Sequence, residues 1–144
     1  MEGDNATNGG TVMLGEQIYS GVGKRTARRV LSTQPVNVEV SFEDAGKLAG
    51  VEGMNIGTYT SIARADGTLV GEGMGVFATA EAGLVTWKGT GVGTVKTGGA
   101  LSYRGSICFE AASPKLSRLN GVAGAFEFEV DAAGNTQTKI WEWK

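Results

Sequence analysis

Histidine is absent from the 144 residues of this sequence, and cysteine occurs once, as Cys108. Histidine has the side-chain pKa nearest neutrality and is the commonest ligand of transition metals. Its absence excludes Ser-His and Cys-His nucleophile pairs and most zinc sites, so we expect no metal and no cofactor. A single cysteine cannot form an internal disulfide, and the chain does not begin with the apolar run of a secretory signal. These absences predict a cytoplasmic protein.

Net charge and long hydrophobic runs are also lacking. The 13 basic and 15 acidic residues give a formal charge of -2, which supplies no field for attracting nucleic acid or an anionic membrane. The longest apolar runs hold a few residues, against the roughly 20 needed to span a bilayer. One basic cluster contains Lys24, Arg25, Arg28 and Arg29, but on a strand Lys24 and Arg28 would point to one side and the other two to the opposite side. We therefore expect neither nucleic-acid nor membrane partners.

The alternation of apolar and polar residues predicts strands. Val36, Val38, Val40 and Phe42 alternate with polar residues, a pattern typical of a strand with one buried face. Similar stretches recur to the end of the chain, separated by turn signals such as Asp66-Gly67, which is typical of a tight hairpin. They are Glu16 to Leu31, Ile56 to Ala65, Thr68 to Thr79, Leu84 to Thr97, Leu101 to Ala111, Gly121 to Val130 and Thr136 to Trp143. About eight strands with short connections are therefore predicted.

Consecutive strands with short connections form a meander, and about eight of them can close into a barrel that has no edges. The predicted fold class is therefore all-β, a closed antiparallel up-and-down barrel, with a β-sandwich as the alternative. One helical turn is predicted near 114–119, because Ser113 can cap it and Pro114 suits its first position. The length fits one domain, which we assign to residues 11–144. The polar, glycine-rich residues 1–10 are predicted to be a disordered tail.

Six of the 24 glycines form two triplets at a spacing of two residues. They are Gly71, Gly73 and Gly75 on the fourth predicted strand and Gly89, Gly91 and Gly93 on the fifth. Antiparallel pairing sets Gly73 beside Gly89 or Gly91, so the six form one bare patch, here called the glycine floor. Glycine within a strand costs roughly 0.5 to 1 kcal/mol relative to alanine. The glycines relieve crowding where a small barrel bends sharply, or an aromatic ring, that of Trp87, Trp141 or Trp143, covers the floor. Alternatively, the floor opens space for a flat apolar ligand or a second subunit.

Polar residues on two later strands admit two interpretations each. Arg104 and Glu110 share one face of the sixth strand, and they would orient a substrate if that face lined the barrel lumen. Glu127 and Glu129 lie two residues apart, and paired carboxylates can divide acid and base roles. Otherwise both sets of side chains belong to the solvated face of half-buried strands.

Three segments carry a resemblance to a known family. The stretches GTYTSIARADGTLVGEGMGVF, WKGTGVGTV and SPKLSRLNGVAGAFEFEVD resemble small uncharacterised bacterial and archaeal barrel proteins of the allene-oxide-cyclase-like type, within the calycin group. The resemblance covers roughly residues 36–144 and implies an eight-stranded barrel with a mostly apolar lumen, often assembled into small oligomers. For related barrels it suggests cyclases, isomerases or carriers of hydrophobic molecules, although fold does not fix function. No catalytic residue of allene oxide cyclase can be placed on this sequence.

Two functions from different classes follow as hypotheses. The first is binding of a small, largely apolar molecule in the lumen, which leaves open whether the protein is an enzyme that guides a cyclisation or isomerisation by shape. The candidate ligand-binding residues are Tyr59, Gly73, Phe77, Trp87, Gly91, Tyr103, Arg104 and Phe126. The second is a non-enzymatic structural module that acts through a homo-oligomer interface, formed by the glycine floor and the tryptophans near the C-terminus.

Overall fold

Eight strands follow one another in a computed structural model that describes residues 14–144. The strands are β1 (Leu14–Thr33), β2 (Val36–Leu48), β3 (Val51–Ala63), β4 (Leu69–Thr79), β5 (Leu84–Val95), β6 (Leu101–Ala111), β7 (Ala123–Val130) and β8 (Asn135–Trp143). Each pairs antiparallel with the next, and β8 pairs with β1, so the sheet is closed. The predicted all-β meander barrel is thereby confirmed, and the sandwich alternative is wrong. The predicted tail, residues 1–10, lies outside the described residues.

Glycines with positive φ occur in several of the turns between strands. In the β3–β4 turn, Gly67 has a φ of 89°, and the Asp66 Oδ1 atom accepts a hydrogen bond from the Thr68 N–H at 3.0 Å. In the β7–β8 turn, Gly134 has a φ of 90°. L-residues with a Cβ rarely adopt this backbone region, so glycine is the residue that permits these turns. The predicted hairpin at Asp66-Gly67 is confirmed.

A 3₁₀ helix, Pro114–Gly121, lies across one end of the barrel. Pro114 occupies its first position, and the Ser113 hydroxyl oxygen accepts a hydrogen bond from the Lys115 N–H at 3.3 Å. The helix buries Leu116 and Leu119, at 1% and 0% exposure, in the larger of two core clusters. The predicted helical turn is therefore confirmed, and its leucines close this end of the core.

The smaller core cluster lies toward the opposite end of the barrel. It contains the buried side chains of Phe42, Tyr103, Phe128 and Val130. Phe42 and Phe128 are in tilted ring contact, with centroids 4.8 Å apart. The interior is therefore filled at both ends, and what space it has lies between the two clusters.

A bulge in β1 changes the arrangement of the basic cluster from the one the sequence predicts. The register with β2 shifts between Arg25 and Ala27, so Arg25 pairs with Phe42 and Arg28 with Val40. Both partners are buried, and paired residues project from the same face of the sheet. The prediction that Arg25 and Arg28 point to opposite sides is wrong, because the extra residue of the bulge reverses the alternation. The other two basic residues of the cluster pair with glutamates on the outer face.

Helices in the described part of the chain are short. None of them, within residues 14–144, has the length and apolar character needed to cross a membrane.

Candidate functional site

The glycine floor lies on the inner face of the barrel. Gly73 pairs with Gly89, and Gly71 pairs with Gly91, so the two triplets are adjacent, as the sequence predicts. Gly75 pairs with Trp87 on the same face. Because the floor faces the interior, the hypothesis that it contacts a second subunit is wrong.

Aromatic rings cover much of the floor. A Cβ atom built on Gly75 would lie 2.5 Å from Cζ2 of the Trp87 indole, and one on Gly91 would lie 2.9 Å from the Phe126 ring. Gly93 is covered by Tyr103, whose ring would lie 2.6 Å from such an atom. Separations below 3.0 Å are overlaps. These positions are therefore glycine because rings occupy the space of their side chains, as the sequence predicts for Trp87.

The two tryptophans near the C-terminus do not take part in covering the floor. Trp141 pairs with Ala125 and alternates with the buried Ile140, which places it on the outer face of β8. Trp143, at the end of β8, is 59% exposed. Of the three tryptophans the sequence offers, Trp87 alone lies on the floor.

A cavity of about 90 Å³ remains in the interior beside the floor. At about 30 Å³ for each molecule of liquid water, this volume equals that of roughly three waters. Seven of the eight candidate residues line it: Tyr59, Gly73, Phe77, Trp87, Gly91, Tyr103 and Phe126. The structure therefore brings these seven together around one space, and their binding of a ligand stays a prediction.

Arg104, the eighth candidate, lies on the outer surface. It alternates with the buried Tyr103 on β6 and is about half exposed. Its guanidinium lies 2.6 Å from a carboxylate oxygen of Glu129 and 3.6 Å from one of Glu127. Although partial burial raises the pKa of Glu129, hydrogen bonds from Arg104 and Ser102 bring it below its usual range. Arg104 thus belongs to a surface ion-pair network, and the two glutamates are on the solvated face.

Sequence reasoning missed a buried polar group, here called the Asp44 cluster, which consists of Asp44, Tyr19, Asn55 and Thr138. The Asp44 side chain is 1% exposed. Its carboxylate accepts hydrogen bonds from the Tyr19 hydroxyl, from the Thr138 hydroxyl at 3.2 Å and from the Asn55 amide at 3.4 Å. The Trp87 indole N–H in turn donates to the Asn55 oxygen at 2.8 Å. The cluster is therefore joined to the ring that covers the floor.

Glycines make room for the Asp44 cluster. A Cβ built on Gly21 would overlap the Tyr19 ring at 2.7 Å, and one on Gly23 would overlap the Asp44 Cβ at 2.7 Å. Gly46 is held close to the same ring, at 3.0 Å. The signal available in the sequence is the spacing of Gly21 and Gly23 by two residues, which repeats the pattern of the glycine floor on β1.

Burial dominates the electrostatics of the Asp44 cluster. Removal from water raises the pKa of Asp44 above its usual range, although the hydrogen bonds from Tyr19, Asn55 and Thr138 lower it in part. Burial likewise raises the pKa of Tyr19, and the Asp44 charge raises it further. A carboxyl group with a raised pKa beside a cavity has the character of a functional site.

Two tyrosines line the opposite end of the cavity, within the influence of two arginine charges. The Tyr103 and Ser61 hydroxyls are 2.8 Å apart, and the rings of Tyr59 and Tyr103 are in edge contact. Burial raises the pKa of Tyr59 above its usual range, while the positive charges of Arg25 and Arg28 lower it in part. This end of the interior is therefore influenced by positive charge, in contrast to the Asp44 end.

Within residues 14–144, no three side chains of the types that hold metal ions come together. The donor groups that reach the cavity are hydroxyls, an amide and an indole N–H, which suit hydrogen bonding to an organic molecule.

These features define a class: a closed eight-stranded antiparallel barrel with an internal cavity between aromatic side chains and glycine backbone. Solved structures of other proteins are similar to this chain in fold. A conserved protein of unknown function from Rhodopseudomonas palustris superposes with a TM-score of 0.75 at 13% identity, covering 88% of this chain and 95% of that one. A protein of unknown function from Clostridium acetobutylicum gives 0.78 at 14% identity, covering 90% and 98%.

A β-barrel-like protein from Acinetobacter baumannii gives a TM-score of 0.75 at 13% identity, covering 90% of this chain and 94% of that one. No protein-family profile and no curated protein sequence matches the chain. At such low identities, the structural similarity shows the shared fold. The more specific resemblance to allene-oxide-cyclase-like barrels stays a prediction.

Proposed function

We propose that this protein binds a small, largely apolar molecule inside its barrel. The observation that carries the proposal is the cavity of about 90 Å³, which lies among the rings of Tyr59, Phe77, Trp87 and Phe126. Ligand sites are typically concave and apolar, with a few polar groups that fix orientation. The cavity has this composition, because the Asp44 cluster supplies its polar part.

The size of the cavity limits the ligand. The cavity of about 90 Å³ is smaller than the roughly 150 Å³ cavity that holds benzene, so a single six-membered ring is the upper limit and enters with small shifts of the surrounding side chains. A long-chain lipid does not fit this volume unless side chains rearrange. We propose further that the protein cyclises or isomerises such a ligand, as the resemblance suggests. We also propose that it is located in the cytoplasm.

Filling the cavity tests the proposal. Gly89 lines the cavity, and its added Cβ would make its closest contact at 3.1 Å, with the Ser106 carbonyl oxygen. Gly89→Leu would place an isobutyl group in the space. The matched control is Gly121→Leu, because Gly121 has no atom within 4 Å of its added Cβ and lies outside the cavity. Methylcyclohexane serves as the apolar probe, with binding measured by ligand-observed NMR.

We expect wild type and Gly121→Leu to bind methylcyclohexane with the same affinity, and Gly89→Leu to lose at least tenfold. Circular dichroism establishes that both variants keep the strand content of the wild type. Equal binding by all three proteins, or by none, contradicts the proposal. Native mass spectrometry of protein purified from its own host then identifies the natural ligand.

A second candidate function is assembly into a homo-oligomer through the outer face of β3, β4 and β5. Ile56 and Val76 pair across this face, and Met54, Met74 and Leu84 lie nearby. These five side chains are 36% to 63% exposed, and a contiguous apolar patch of this kind commonly marks an interface. Sedimentation velocity tests the candidate: we expect a wild-type oligomer that Ile56→Glu dissociates. A wild-type monomer at high micromolar concentration contradicts it.

A further inference from the structure

We propose that the Asp44 cluster is the polar binding group of the cavity and that it selects uncharged apolar ligands bearing one hydroxyl group, that is, small alcohols or phenols. The proposal rests on the proposed function, because it names the class of molecule that the cavity takes. It is carried by where the cluster lies, by the direction of its hydrogen bonds and by its charge.

The cluster forms part of the cavity wall. Tyr19, Asn55 and Thr138 all line the cavity, and all three donate hydrogen bonds to the Asp44 carboxylate. Around them the wall consists mainly of aromatic and aliphatic side chains. A ligand in this space therefore finds a group of converging polar atoms at the Asp44 end.

The directions of the hydrogen bonds determine what that group accepts. The hydroxyl hydrogens of Tyr19 and Thr138 point to Asp44, so each hydroxyl oxygen has lone pairs left to accept a further bond. The Asn55 amide has two hydrogens, and one of them is directed to Asp44. The cluster thus offers acceptors and one donor. A ligand hydroxyl can donate to one of these acceptors and accept from the Asn55 donor. A ketone or ether oxygen can only accept a hydrogen bond, so it leaves the acceptors of the cluster unpaired.

A buried threonine next to the cluster adds a further polar atom. Thr136 pairs with Gly23, which pairs with Asp44, and its side chain is 4% exposed. Its hydroxyl has no hydrogen-bonding partner among residues 14–144. Buried polar atoms in proteins nearly always have a partner. Thr136 lies two residues from Thr138 on the same face of β8, so its hydroxyl extends the polar end of the interior.

Charge excludes an acidic ligand at this end. No lysine or arginine within residues 14–144 forms an ion pair with Asp44. A ligand carboxylate beside Asp44 would bring together two like groups in a site removed from water. The burial that raises the pKa of Asp44 penalises a ligand ammonium group in the same way, so the site favours neutral molecules.

Three uncharged probes, cyclohexanol, cyclohexanone and methylcyclohexane, and one charged probe of the same heavy-atom number, protonated cyclohexylamine, test the selectivity on the wild-type protein. We expect cyclohexanol to bind about tenfold more tightly than methylcyclohexane, in line with one hydrogen bond formed in a buried site. Cyclohexanone should fall between them. Equal affinities for the three probes, or tighter binding of cyclohexanone or of protonated cyclohexylamine, would overturn the proposal.

A matched pair of variants assigns the selectivity to the cluster. Thr138→Val removes a cluster hydroxyl, and Thr58→Val is the same substitution on the outer face, where the hydroxyl contacts Ser41 at 3.2 Å. We expect Thr138→Val to lose several-fold of the preference for cyclohexanol over methylcyclohexane, and Thr58→Val to keep it. Suppose that methylcyclohexane binds, but the wild type shows no preference for cyclohexanol or Thr138→Val keeps that preference. The inference about the Asp44 cluster then fails, while the proposed binding of an apolar molecule in the cavity stands. If no probe binds, both fail.

Discussion

The indole N–H of Trp87 donates a hydrogen bond to the side-chain oxygen of Asn55 at 2.8 Å. The same ring lies over the backbone of Gly75 on the neighbouring strand. One side chain therefore covers part of the glycine floor and holds a member of the Asp44 cluster in place. The apolar and polar parts of the cavity wall depend on each other through this residue.

Removing the Trp87 ring should destabilise the fold. Trp87→Ala leaves a cavity and an unpaired Asn55 oxygen. We expect the free energy of unfolding to fall by about 3 kcal/mol, which is the lower end for a large aromatic residue because Trp87 is only partly buried. Trp87→Phe keeps most of the ring but not the N–H, and it should cost about 1 to 2 kcal/mol. Urea unfolding measures both. A loss under about 1 kcal/mol for Trp87→Ala contradicts this account.

Adding a single methyl group under the indole should also be costly. Gly75→Ala places a Cβ in overlap with the Trp87 ring, and overpacking of this kind typically costs about 1 to 3 kcal/mol. Gly121→Ala is the control, because its Cβ meets nothing within 4 Å. We expect the control to be neutral or stabilising by up to about 1 kcal/mol. Equal unfolding free energies for the two variants would show that the ring does not occupy the space above Gly75.

The raised pKa of Asp44 should make stability depend on pH. A carboxyl group whose folded pKa lies above its usual 3.8 contributes stability that is present below that value and is lost as the pH rises through the folded pKa. Asp44→Asn does not titrate. The unfolding free energy of the wild type minus that of Asp44→Asn should therefore decrease from about pH 4 upward.

Urea unfolding at several pH values measures this difference, and the other carboxyl groups cancel because both proteins contain them. A difference that stays constant, or that grows as the pH rises, would mean that Asp44 is ionised in the folded protein with an ordinary or lowered pKa.

The leucines of the 3₁₀ helix should be essential to the end of the core that they close. Leu119→Ala removes a side chain with 0% exposure, and we expect a loss of about 2 to 5 kcal/mol. Leu31→Ala is the same change at a residue that is 43% exposed and lies outside the proposed oligomer interface, and it should cost less than about 1 kcal/mol. Thermal unfolding compares the two. A Leu119→Ala protein as stable as Leu31→Ala would show that the helix does not close the core.

The parts of the fold that depend on local alternation could be predicted from the sequence. The alternation from Val36 to Phe42 marks the inner face of β2, and the two glycine triplets mark neighbouring strands that face the same way. Asp66-Gly67 gives the hairpin between β3 and β4. Each of these signals lies within a few residues of the structure it predicts, so each can be recognised from the local sequence.

The Asp44 cluster was missed because its four members come from four strands. The alternation of Val40 and Phe42 continues to Asp44, which would place a carboxyl group inside the barrel. Aspartate is almost never fully buried unless it is paired, so the alternation alone did not mark Asp44 as an inward-facing residue. The partners Tyr19 and Thr138 are 25 and 94 residues away along the chain, and their approach depends on the closure of β1 against β8. No local pattern carries that information.

The β1 bulge shows a second limit of sequence reasoning. One extra residue after Arg25 reverses the facing of the side chains from Ala27 to Val30, after which a second register shift follows. Strict alternation assigned Arg28 to the wrong side for this reason. Arg104 was uncertain for another reason. The alternation on β6 does not determine which face of the strand lies inside the barrel, and the structure places the polar face, with Arg104, outside.

The position of Trp87 gives the protein an optical readout of its own interior. Its indole is part of the cavity wall, whereas Trp141 is on the outer face and Trp143 is largely in solvent. A molecule entering the cavity changes the polarity around Trp87 and leaves the surroundings of the other two indoles as they are. The emission of Trp87, isolated by replacing Trp141 and Trp143 with phenylalanine, therefore reports occupancy of the barrel without any added dye.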